Sequence, residues 1–125
     1  MKHKNSIISS FKVALKGLKI AFISEKNIKI HSIIALLTLI LSFICQLSTI
    51  EIAIILLCIG IVISLELINT ALESFLNLYS TQYNSTIKNI KDIAAASVLF
   101  ISTIAFTIGC VIFIPKCLKY IELWK

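Results

Sequence analysis

Glu66, Asn69 and Glu73 stand in the stretch SLELINTALESF, residues 64–75, directly after an apolar run that begins at Ile52. Charged groups are expensive in such surroundings, so their presence demands a reason. On a helix each residue turns by about 100°, which sets Glu73 about 20° from Glu66, Asn69 about 60° to one side and Thr70 about 40° to the other. Asn77 returns to the same line. One polar stripe therefore runs along an otherwise apolar helix. Elsewhere the chain offers Glu25 and the pair Lys91-Asp92. Carboxylates brought together from separate helices form a hard, oxygen-rich site of the kind Mg²⁺ takes when phosphates complete its shell. A lysine beside them neutralises phosphate charge. The chemistry expected is a metal–nucleotide site.

The element that must hold such a site is a membrane-spanning bundle. The chain has 125 residues, 58% hydrophobic and 14% charged, with a mean hydropathy of +1.00. That balance belongs to an integral membrane protein and not to a soluble domain of this length. The expectation is a single all-α membrane domain, residues 1–125. Net charge is +6, and all twelve basic residues are Lys. Without arginine the usual bidentate donors to base edges are missing, so no nucleic-acid partner is expected. The lysines suit anionic headgroups or a phosphorylated ligand. Cys45, Cys58 and Cys110 sit inside apolar runs, and the four cysteines, Cys117 included, have no paired metal spacing. They read as small apolar packing residues.

Residues 6–24 carry a helical period, with Ile7, Phe11, Ala14, Leu15, Leu18 and Phe22 on one stripe and Lys12, Lys16 and Lys19 on another face. This predicts an amphipathic helix lying in the membrane interface. Glu25-Lys26-Asn27 interrupts it. Transmembrane helices are expected at 30–47, 52–79 and 92–114. The second, about 40 Å long, exceeds a hydrocarbon core of about 30 Å and so carries Glu73 and Asn77 towards water. Residues 80–91 are expected as a polar loop, and Pro115 as the stop of the last span. Seven lysines precede residue 30 and two more, Lys88 and Lys91, stand in that loop, against three in the C-terminal tail. Nine against three puts the N-terminus and the long loop inside and the C-terminus outside. Glu25, the stripe and Lys91-Asp92 then gather at one interface, four of the six acidic residues together, with only Glu51 and Glu122 elsewhere.

Gly17, Gly60 and Gly109 are the only glycines, which leaves no GxxxxGK phosphate cradle. Phosphates would be held by metal, carboxylates and lysine. ELINTALE, residues 66–73, resembles the signature E-x-x-N-[ST]-A-x-E of the small bacterial integral-membrane lipid kinases, the prokaryotic diacylglycerol kinase and undecaprenol kinase family. ALKGLKIAFISEKNIKIH (14–31), KDIAAASVL (91–99) and FIP (113–115) extend the resemblance over nearly the whole chain.

The resemblance implies an interfacial helix followed by three spans, assembled as a homotrimer in the bacterial cytoplasmic membrane, N-terminus cytoplasmic. It implies transfer of phosphate from ATP, with Mg²⁺, to a lipid alcohol. Glu66 then matches the catalytic general base, and Asn69 a polar residue beside it. Glu25 and Glu73 match metal ligands that also meet the nucleotide. Lys91 and Asp92 match nucleotide contacts, and Gln82, Tyr83 and Asn84 fall at the nucleotide site's outer edge. NIKIH and FIP lean towards the undecaprenol branch over the diacylglycerol branch. Many relatives carry Asp where Asn77 stands, Tyr where Val13 stands, and Glu-Tyr-His or a similar triplet at residues 82–84. These departures bear on nucleotide preference more than on phosphoryl transfer.

Two other classes compete. A small proton-coupled transporter subunit accounts for an intramembrane acid. It leaves the convergence of Glu25, Glu73 and Lys91-Asp92 unexplained, and such proteins typically have four spans. A structural membrane protein accounts for the stripe as glue between helices. Glu66→Gln separates that role from catalysis.

Overall fold

The computed structural model describes residues 7–79 and 84–122, which form four helices: α1 (Ile7–Ser24), α2 (Lys26–Ile44), α3 (Thr49–Tyr79) and α4 (Ser85–Glu122). No strand occurs among the described residues. Lys26–Ile44, Thr49–Leu78 and Ser85–Lys119 are each long and apolar enough to cross a bilayer. The protein is an all-α membrane protein. Large apolar side chains face outward along these helices, Phe43 81% and Phe106 73% exposed among them. That is the surface a hydrocarbon solvent requires.

The junctions between α1, α2 and α3 each have a local reason. Glu25 alone separates α1 from α2, in an extended conformation (φ −111°, ψ 126°). Lys29 Nζ donates to the Ile23 carbonyl at 3.2 Å, satisfying one of the orphan acceptors at the end of α1. At the end of α2, Gln46 takes a left-handed φ of 48°. Gln46 N–H then donates to the Phe43 carbonyl and Leu47 N–H to the Ser42 carbonyl, both at 3.1 Å, a Schellman motif. Two residues later Ser48 and Glu51 form a capping box. Ser48 N–H donates to Glu51 Oε2 at 2.7 Å, and Glu51 N–H donates to Ser48 Oγ at 3.4 Å. The cap starts α3 at Thr49, ahead of the expected Ile52.

The last helix departs most from expectation. It begins at Ser85 and runs for 38 residues, so 85–91 is helix and not loop. Asn84 nucleates it, its Oδ1 accepting from Thr86 N–H at 2.9 Å and Ile87 N–H at 3.3 Å. Nor does Pro115 stop it. Proline removes one N–H and crowds the preceding turn, yet the helix is anchored on both sides of it. Ile112 and Phe113 pack against the cluster of Cys45, Leu47 and Ile55, and Lys116 Nζ lies 3.1 Å from Glu51 Oε2.

α3 is the central element. α1, α2 and α4 all pack on it. Lys91–Asn77 ties α4 to α3 at one end and Lys116–Glu51 ties them at the other, which fixes an antiparallel pair in register over most of its length. Between α2 and α4, floored by α3, lies an apolar groove of about 500 Å³.

Candidate active site

One face of α3 buries its polar residues. Glu66 is 2% exposed and Asn69 6%; Thr70 beside them is buried and Glu73 half-buried. Asn69 Nδ2 donates to Glu73 Oε1 at 3.2 Å, the geometry of an i, i+4 pair. Asn69 Oδ1 is buried and has no partner. Buried polar atoms are nearly always paired, so an open acceptor beside a buried carboxylate stands out. Among the described residues no ion pair reaches Glu66.

One turn beyond Glu73, exposed Asn77 accepts from Lys91 Nζ at 2.6 Å. This bond draws the head of α4 to the stripe and holds the lysine one turn beyond Glu73. Asp92 is exposed on the next position of α4. Glu25 is half-buried at the junction of α1 and α2, and both of these helices pack on α3. No hydrogen bond joins Glu25 to the stripe among the described residues. Asn84 engages its side chain in capping α4. Gln82 and Tyr83 lie outside the described residues.

No three His, Cys, Asp or Glu side chains cluster to enclose a metal among the described residues. The donor set fits Mg²⁺ in another way. That ion is usually held by one or two carboxylates, with phosphate oxygens and water completing the octahedron. Glu25 and Glu73, both half-buried, have the donor chemistry such an ion takes.

Two hydroxyls escaped the sequence reading. Ser32 Oγ and Ser102 Oγ are buried without partners, whereas Thr38, Ser42, Thr103 and Thr107 each bond the carbonyl four residues back. The register between α3 and α4 sets Ser102 at the level of Glu66, and Ser102 lines the groove together with His31. Hydroxyls in apolar helices are common, so only the fold distinguishes this one.

A helical membrane protein with one buried carboxylate, Glu66, and one half-buried, Glu73, along its central helix is what fold and site define. The chain belongs to the prokaryotic diacylglycerol kinase family, whose model matches residues 12–113, a span that includes Glu25, Glu66, Asn69, Glu73, Lys91 and Asp92. It is 38% identical over 112 residues to the undecaprenol kinase of Bacillus subtilis (strain 168), covering 90% of this chain and 91% of that protein. It is 32% identical over 115 residues to a diacylglycerol kinase of Synechocystis, covering 91% of this chain and 66% of that protein. The protein is a lipid kinase. Membership in this family displaces the transporter and the purely structural readings.

Proposed function

We propose that the protein transfers the γ-phosphate of ATP to undecaprenol, yielding undecaprenyl phosphate. It acts as a homotrimer in the bacterial cytoplasmic membrane with its N-terminus cytoplasmic. The observation that carries the mechanism is the buried Glu66 beside the unpaired Asn69 Oδ1. Glu66 accepts the proton of the lipid hydroxyl as its oxygen attacks the γ-phosphorus in line. Asn69 holds Glu73 through its amide N–H and leaves its carbonyl to orient the hydroxyl. Catalysis then rests on positioning and charge neutralisation, as phosphoryl transfer generally does.

Glu25 and Glu73 would hold Mg²⁺, which would supply charge neutralisation at the phosphates when bound. Lys91, fixed by Asn77, faces phosphate oxygens, with Asp92, Gln82, Tyr83 and Asn84 around the nucleotide. The groove between α2 and α4 offers the alcohol's apolar body a seat whose Ser102 end lies at the level of Glu66. The exposed lysines and apolar stripe of α1 suit a helix resting on headgroups. Undecaprenol is preferred to diacylglycerol because of the NIKIH and FIP segments and the higher identity to the undecaprenol kinase.

The test is transfer of labelled γ-phosphate in mixed micelles, offering undecaprenol and diacylglycerol separately, with Glu66→Gln as control. Faster labelling of undecaprenol, lost in the variant, is the expected result. Faster labelling of diacylglycerol overturns the substrate assignment. Labelling that survives in the variant overturns the assigned base.

A further inference from the structure

The end of the bundle opposite the carboxylate stripe carries two thiols that phosphoryl transfer does not use. Cys45 caps the C-terminus of α2. It is buried with Leu47 and Ile55, and Ile112 and Phe113 of α4 pack against that cluster. Cys117 follows Phe113 by four residues, so it stands on the same face of α4 one turn further along. Its neighbour Lys116 reaches Glu51 at 3.1 Å, which pins this turn of α4 to the start of α3, next to the α2–α3 connection. Both cysteines are free thiols, Cys45 buried and Cys117 exposed. Burial first, and then the adjoining Cys117, push the Cys45 thiol above its usual range. The sequence assigns both residues to packing, but the fold sets them together.

We propose that Cys45 and Cys117 are an oxidisable pair that closes an intramolecular disulfide by exchange with a disulfide oxidant, fastening the end of α2 to α4. The exposed Cys117 thiolate attacks the oxidant's S–S bond, forms a mixed disulfide and releases one oxidant sulfur as thiolate. Cys45 then attacks the Cys117 sulfur, forming the Cys45–Cys117 bond and expelling the second oxidant thiolate. Two protein thiols are oxidised, one oxidant disulfide is reduced to two thiols, and these take up the two protons. The order follows from access: Cys117 meets the reagent, and Cys45 meets Cys117. α2 and α4 are the two walls of the groove, so the bond sets the groove's width at this end. On the proposed orientation this end faces outward, where disulfides persist.

The experiment treats the full chain in detergent micelles with oxidised glutathione, then unfolds it, alkylates free thiols and maps the peptides. The expected product is a Cys45–Cys117 cross-linked peptide within one chain, with two alkylatable thiols remaining of the original four. Cys58→Ala/Cys110→Ala protein keeps the cross-link, and Cys45→Ser protein stops at glutathione on Cys117. Wild-type protein that retains an alkylatable Cys45 while Cys117 carries glutathione, or that joins two chains through Cys117, overturns the proposal. The readout is independent of kinase activity.

Discussion

The two ends of α3 use the same kinds of side chain to opposite ends. Near its start, Glu51 accepts the Ser48 N–H at 2.7 Å and pairs with Lys116 at 3.1 Å. Its neighbours are the packed Cys45, Leu47 and Ile55. In its other half, Glu66 is deeper, Asn69 keeps an open acceptor and Lys91 is held by a neutral amide. Carboxylate, small polar group and lysine occur at both. The difference between the two regions is hydrogen-bonding capacity left unused in a buried place, not polarity itself.

The contrast is broken most severely at Glu66. Glu66→Gln keeps the shape and removes the base, so turnover falls about 1,000-fold, within the roughly 10²–10⁴ span of general-base contributions. Helical content by circular dichroism and oligomer size by sedimentation stay as in the wild type. Glu73→Gln comes next. The Mg²⁺ concentration for half-maximal rate rises at least about tenfold, the scale of changes around metal ligands, measured by titration of the labelled-phosphate assay. Asn77 sharpens the comparison: Asn77→Ala frees Lys91 and raises KM for ATP severalfold with kcat little changed. Asn77→Asp restores the partner as a charge-assisted bond and reverses that rise.

Changes at the far end affect stability, not turnover. Gln46→Gly removes a left-handed penalty of about 1 kcal/mol, raising the melting temperature with activity unaltered. Smallest is Glu51→Gln. Glutamine preserves the capping box and loses only the Lys116 ion pair, so both rate and melting temperature stay within replicate scatter.

The spans and the stripe were legible because both are periodic and local. Glu66, Asn69 and Glu73 share a face by arithmetic, and apolar runs of this length announce bilayer crossings. The extent of α4 was not legible from polarity. STIKNIK looks like a loop, yet Asn84 and the hold of Lys91 on Asn77 make it helix. Proline at 115 reads as a stop, and long-range packing on either side overrides it. Asn77 appears in the sequence as the last member of the polar stripe and as a departure from relatives. Its role as the acceptor for Lys91, fourteen residues away, depends on how two helices meet. The Schellman and capping-box pair between α2 and α3 rests on local residues, but Gln46 in place of glycine conceals the first half of it.

α3 has 31 residues, about 46 Å of helix against a hydrocarbon layer of about 30 Å. This surplus makes the helix a depth gauge. A bilayer that thickens covers more of the overhang and draws Glu66 away from the water that delivers nucleotide; one that thins lifts it clear. Hydrophobic mismatch is tolerated at modest energetic cost, so the bundle stays folded while the meeting height of hydroxyl and phosphate shifts. On the proposed role of Glu66, the lipid composition of the host membrane enters the rate through the position of one carboxylate along one helix.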